Sequence, residues 1–420
     1  MNDFARKAGT ALSALLIAVS TAVACTGAPA QAGVERHQSW QAAWTAAPQR
    51  ASSGFEANWS EEGFSGQSVR QVVRPAGDGS SARIRLSNAY GTSPVRVTGA
   101  TIAYAGQGAS VRPESVRRLT FGHAVSADIP AHGTLTSDPA RLNVRAFQPL
   151  VVTLYFAGTT GPATFHAQAY ATSYRAQGDH LADASASAFT QTTHSWYYLS
   201  GVDVAGGTRK GDAVVAFGDS ITDGFGSTSD ANGRYPDELA ERLAATGRPR
   251  PVLNAGIGGN LLLNDSAWYG DRSSARFRRD VLDQPGVGTV VVLEGINDIG
   301  FSESDTPTFK PAPVVSADEL IAGYRRLIRD AHAKGIKVVG ATLLPFKNSD
   351  HWGEHAASVS NAVNRWIRTS GEYDAVVDLD RALAAPGDPD MLNPAFDSGD
   401  HLHPNDLGYT TMARLIADRL

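Results

Sequence analysis

A chain of 420 residues exceeds one ordinary domain and points to two. Its 42% hydrophobic content, with 42 glycines and 21 prolines, fits a globular, loop-rich protein with ample material for a core. The formal net charge of −5, with no long basic run, argues against nucleic-acid binding by phosphate neutralisation.

In chain order, Arg6 and Lys7 precede the apolar run "ALSALLIAVSTAVA", and "APAQA" follows it, ending in an Ala30-x-Ala32 pattern. Positive, apolar and small-residue regions in that order predict a secretory signal peptide over residues 1–32. The apolar run is too short for a comfortable membrane span. Removing the leader deletes Asp3, Arg6 and Lys7 and leaves a charge of −6 (35 basic against 41 acidic residues). The sole cysteine, Cys25, lies in this leader, so a chain cut after Ala32 has neither disulfide nor thiol nucleophile. The rival reading is a lipoprotein acylated at Cys25, for which Ala22 is a poor match three positions upstream. Secretion is therefore expected, with lipid anchoring as the alternative.

Residues 33–204 predict an accessory β domain. "ARIRLSNAYG", "VRVTGATIAYAG", "ARLNVRAF" and "LVVTLYFAG" alternate apolar and polar residues between turn-forming flanks, the pattern of half-buried antiparallel strands. Several in a row without a convincing helix predict a β-sandwich or jelly-roll. "ADASASAFTQTTHS" reads as an exposed loop, and "VAGGTRKGD" as a linker. Trp196, Tyr197 and Tyr198 in "HSWYYLSG" are expected in the core or between domains. Exposed instead, such rings would stack on sugars and make this half a carbohydrate-binding module.

From residue 205 to 420 the pattern changes. "AVVAFG", "PVLNAG", "TVVVLEG", "KVVGATL" and "AVVDLD" are β-rich runs separated by helix-like sequence, which predicts an α/β fold, a doubly wound parallel sheet. The clearest helix is "SADELIAGYRRLIRDAHAKG": Ser316 and Glu319 form a capping box, Leu320, Tyr324, Leu327, Ile328 and Ala331 make an apolar stripe, and Gly335 ends it. In such sheets the functional residues gather on loops beyond the carboxyl ends of strands. Those loops carry Gly218-Asp219-Ser220, "NAGIGGN" and Gly295-Ile296-Asn297-Asp298, with "SGDHLHPNDLGY" before the last helix.

The residue types suggest nucleophilic acyl transfer. Ser220 needs a base to remove its proton; His403 can supply it, and Asp400, three residues earlier, can hold the imidazole tautomer. The oxyanion formed on attack needs preorganised donors, which the "GIGGN" loop, the Ser220 N–H and the Asn297 amide can offer. No metal or organic cofactor is required.

Taken together, "FGDSITDG", "NAGIGGN", "LEGINDIG" and "GDHLHPND" resemble, in order and spacing, the four blocks of the SGNH hydrolases, or GDSL lipase/acylhydrolase family. The resemblance covers roughly the second half of the chain. It implies a flavodoxin-like α/β domain with Ser220 as nucleophile, Asp400 and His403 as its triad partners, and Ser220, Gly259 and Asn297 as the oxyanion hole. Ile221 stands where the older motif name carries leucine. Thr222 replaces the final glycine of the α/β-hydrolase elbow, so this is a different turn. "RYPDELA" and "NRWIRTSG" add a resemblance to a secreted, xylan-esterase-like branch, which implies acetyl esters of a polysaccharide as substrate.

Other readings compete. His401 beside His403 raises a metal reading, and "HWGEH" at residues 351–355 fits the H-x-x-E-H zinc pattern, but Gly353 and the loop before it argue against the helix such a site needs. His351 and Trp352 then become candidates for lining the cleft. Gly258 competes with Gly259 as oxyanion donor, while Asp219, Asp223, Asn254 and Asp298 read as supporting residues. Alternative substrates are lipid acyl esters, although no long apolar lid is evident. A carbohydrate-binding protein with a vestigial catalytic half is the remaining alternative. The oligomeric state has no signature in the sequence.

Overall fold

The computed structural model describes residues 39–207 and 212–420. The leader with Cys25 and most of the "GGTRK" stretch lie outside the described residues. The five β-rich runs of the C-terminal half form the parallel strands Ala213–Gly218, Val252–Gly256, Val287–Leu293, Lys337–Ala341 and Ala375–Val377. Numbered along the chain, their spatial order is 2-1-3-4-5. Their near-continuous Val, Ala and Leu content follows from burial on both faces. The order reverses between the first and third strands, where side-chain-bearing loops diverge and leave a crevice.

The helix Ala317–His332 has both bonds of its capping box, buries the five stripe residues and ends before Gly335, whose φ is +71°. Among the described residues no helix is long and apolar enough to cross a membrane.

The preceding region is all-β and antiparallel apart from one 3-10 turn, Pro113–Ser115. One sheet contains Gln41–Thr45, Leu199–Ala205, Gly79–Ser87, Thr134–Thr136 and Ala140–Val144. The other runs Gln191–Thr193, Ser173–Gln177, Gln67–Val73, Leu150–Phe156, Gly99–Tyr104 and Arg117–Arg118. Val69, Val152 and Leu154 of one sheet pack with Ile84, Leu86 and Val202 of the other in a single apolar core. Trp196, Tyr197 and Tyr198 are all buried there, so none presents a face for stacking on a sugar.

The stretch read as an exposed loop is more anchored than its composition suggests. It contains the strand Gln191–Thr193, and Phe189 is buried beneath the Arg70 guanidinium, 3.9 Å from its ring centre. Arg70 also donates to the carbonyls of Ala109, His180, Asp183 and Ser185. A single buried cation thus supplies the order that few apolar side chains there could.

The two halves meet through specific bonds. Ala42 joins the core of the parallel sheet and its N–H donates to the Pro285 carbonyl. Thr45 Oγ donates to the Asn254 carbonyl (3.1 Å), and Arg85 reaches Gln284 (2.8 Å).

Candidate active site

Ser220 opens a short helix, Ser220–Asp223, directly after the first parallel strand. The turn between them is tight: a Cβ on Gly218 would lie 2.2 Å from the Leu293 carbonyl oxygen and the Thr222 hydroxyl. Asp219 caps the helix by accepting the Ile221 N–H, 3.0 Å away. This places the nearly buried Ser220 hydroxyl at the crevice, with its Oγ donating to His403 Nε2 at 2.7 Å.

His403 and Asp400 share one turn before the helix Asp406–Ala417. His403 Nδ1–H donates to Asp400 Oδ2 at 2.6 Å, while Asp400 Oδ1 accepts the backbone N–H groups of Leu402 (3.0 Å) and His403 (2.8 Å). Burial pushes the Asp400 carboxyl upward, but the hydrogen bond and charge of His403, aided by those N–H groups, hold it well below the usual carboxylate range. The Phe225 ring packs 4.3 Å from the imidazole and shields one side of it. Ser220, His403 and Asp400 are therefore brought together as a continuous relay.

The oxyanion candidates lie on the neighbouring loops. Gly258 donates its N–H to Asp223 Oδ2 at 3.0 Å and is thereby occupied. The N–H groups of Gly259 and Ser220 have no acceptor among the described residues. Gly259 has φ +71°, and a Cβ there would lie 2.2 Å from the Tyr269 ring, so conformation and space both call for glycine. Asn297 sits in the short helix after the third parallel strand. Its Nδ2 donates one proton to the Asn260 carbonyl (3.0 Å), and its Oδ1 accepts from His351 Nε2 (3.1 Å). The carboxamide is thus held at both ends with one N–H left over.

Burial, then the charge of His403, lowers the His351 pKa from 6.5 to about 4 and keeps the ring neutral. That neutral ring packs on Gly300 and against Phe301. His355 instead bonds the Val315 carbonyl, and Gly353 caps the helix Glu354–Thr369, leaving His351 outside it. His401 turns to Asp397 (2.7 Å). Among the described residues no three metal-ligating side chains converge. Trp352 packs edge-on against Phe346.

The supporting residues do as their types suggest. Asp298 accepts the N–H groups of Leu262 (2.7 Å) and Leu263 (2.9 Å), fixing the far end of the glycine loop, and burial raises its pKa to about 7. Asn254 accepts the Gly256 N–H and donates to the Thr222 carbonyl. Two residues carried no signal of a role in the sequence. Buried Arg276 donates to the carbonyls of Gly218 (2.8 Å) and Ala255 (2.7 Å) and to Asn260 Oδ1 (2.8 Å), tying two strand ends to the loop. His166, from the all-β half, donates through Nε2 to Asp223 Oδ1 at 3.0 Å.

Comparison with known proteins gives a match to one family and several solved structures. Residues 216–411 match the GDSL-like lipase/acylhydrolase family. Similar structures include an acetyl xylan esterase from Geobacillus stearothermophilus (22% identity, 50% of this chain and 94% of that one, TM-score 0.38). A lipase/acylhydrolase from Enterococcus faecalis (19%, 49% and 94%, TM-score 0.38) and a GDSL-like lipase from Bacteroides thetaiotaomicron (20%, 49% and 86%, TM-score 0.36) are also similar. Comparison with curated proteins gives no match. With its motif blocks folded onto one end of a 2-1-3-4-5 sheet, the segment of residues 216–411 is the part of the chain that matches the GDSL-like lipase/acylhydrolase family, as a hydrolase domain of SGNH type.

Proposed function

We propose that this domain is a serine carboxylic ester hydrolase that removes short acyl groups, acetyl above all, from a polysaccharide or a small ester. The observation that carries the reading is the unbroken chain Ser220 Oγ to His403 Nε2 to Asp400, at 2.7 and 2.6 Å, beside unoccupied N–H donors. Ser220 attacks the ester carbon as His403 takes its proton, and Asp400 stabilises the imidazolium. The oxyanion accepts from Gly259 N–H, Ser220 N–H and the spare Asn297 N–H. His403 then protonates the departing alcohol, and water, deprotonated by His403, releases the acid from Ser220.

A short acyl group suits the surroundings. Tyr269 lies over Gly259, the Phe301 ring packs 5.0 Å from the Tyr269 ring, and His351 closes on Asn297, so rings crowd the donors. Export of the chain, on the leader pattern of residues 1–32, belongs to the same proposal.

The test is a hydrolysis profile on p-nitrophenyl esters from acetate to palmitate, with Ser220→Ala alongside. A serine-dependent maximum at acetate supports the reading. A maximum at long chains would replace it with lipid acyl hydrolysis, and a folded enzyme silent on every ester would contradict it.

A further inference from the structure

The all-β half does more than cover the catalytic half. His166 lies at the end of the short strand Phe165–His166, where its imidazole stacks on Trp196, the ring centres 5.5 Å apart. Nδ1 faces the Ala47 carbonyl at 3.0 Å, and Nε2 faces Asp223 Oδ1 at 3.0 Å. A carbonyl and a carboxylate can only accept, so both ring nitrogens donate and the ring is an imidazolium paired with Asp223. The other oxygen of the same carboxylate accepts the Gly258 N–H at 3.0 Å. Two residues further on, buried Gln168 sets its Oε1 against Gly258, where it would come within 1.9 Å of a Cβ.

We propose that His166 is a positioning residue for the oxyanion loop: by fixing Asp223 it holds the Gly258 peptide turned away from the reaction centre, which leaves the next N–H, that of Gly259, aimed at it. This rests on the ester-hydrolase reading above. The geometry accounts for the Gly258 N–H being taken by Asp223 while that of Gly259 is left without an acceptor among the described residues. A carboxylate with both oxygens engaged cannot rotate, and the Gly258 N–H has an acceptor only while Asp223 faces it. Without His166, Asp223 gains the freedom to swing towards solvent or towards Arg234, whose guanidinium also lies beside Trp196. The peptide then loses its anchor, and misplacement of an oxyanion donor slows the chemical step rather than substrate binding.

The full-length chain with His166→Leu, His166→Gln and Ser220→Ala tests this on p-nitrophenyl acetate, with thermal melting of each variant as a check of folding. His166→Leu should lower kcat by about tenfold or more while KM stays within about twofold. His166→Gln keeps an N–H that reaches Asp223 and should recover most of that loss. A role confined to packing would lower the melting temperature of both variants without this split. Should His166→Leu fail to fold, Asp223→Leu against Asp223→Asn gives the same contrast from the other partner, since the asparagine oxygen still accepts from Gly258. Equal kcat in the parent and the leucine variant, or equal losses with leucine and the amide, would overturn the positioning role while Ser220 dependence persists. Turnover that survives Ser220→Ala would overturn the underlying reading as well.

Discussion

Asparagine at position 400 should be a worse replacement than alanine, and the reason is local geometry. Asp400 Oδ1 is pinned by two backbone donors, the N–H groups of Leu402 and His403. In Asp400→Asn the amide oxygen takes that position, because an NH2 group there would face two N–H groups. The NH2 then points at His403 Nδ1 and can only donate. Nδ1 must become the acceptor, so the ring proton moves to Nε2, where the lone pair is needed to take the Ser220 proton. A wrong tautomer of this kind costs about 10⁴ in kcat in the chymotrypsin triad. That corresponds to ~5.4 kcal/mol of lost transition-state stabilisation. Asp400→Ala imposes no tautomer. The Asp400 side chain is 40% exposed, so water can enter and accept from Nδ1. Its loss should be smaller, roughly a hundred- to a thousandfold. The assay is kcat on p-nitrophenyl acetate for both variants, with circular dichroism to establish folding. Alanine slower than asparagine, or asparagine within tenfold of the parent, would show that Asp400 does not set the His403 tautomer.

Other outcomes follow from the same site. Asn297→Ala removes one oxyanion donor and should lower kcat by about 10² to 10³ with little change in KM; a loss in KM alone would contradict that role. His351 bears on acid stability. Its folded pKa of about 4 lies below the ordinary 6.5, so the stability from keeping it neutral is complete above 6.5 and is lost as pH falls through 4. The loss reaches about 3 kcal/mol at most. Urea unfolding at several pH values should therefore show a shallower fall between pH 6.5 and 4 in His351→Gln, and identical slopes would remove the argument.

What the sequence revealed was whatever depends on short-range pattern. Alternation of β and α runs located the parallel sheet, and strand ends located the loops bearing Ser220, Gly259 and Asn297. His403 and Asp400 were legible because three residues in one turn suffice to join them. Contacts between distant segments left no such trace. His166 and Asp223 are 57 positions apart, and Arg276 meets Gly218 across 58, so neither interaction disturbs local periodicity. The block resemblance favoured Gly259 over Gly258, but the bond from the Gly258 N–H to Asp223, 35 positions away, left no trace in it. The stretch around Phe189 failed as an exposed loop because its order comes from one arginine more than a hundred residues earlier.

If His403 activates Ser220 as a nucleophile, that serine should be trapped covalently by an electrophile that mimics the ester. The purified chain would be treated with a fluorophosphonate ester and examined by intact and peptide mass spectrometry. One adduct is expected, on Ser220, abolished in Ser220→Ala and strongly slowed in His403→Ala. An adduct on another residue, or ester turnover undiminished in folded Ser220→Ala, would contradict it.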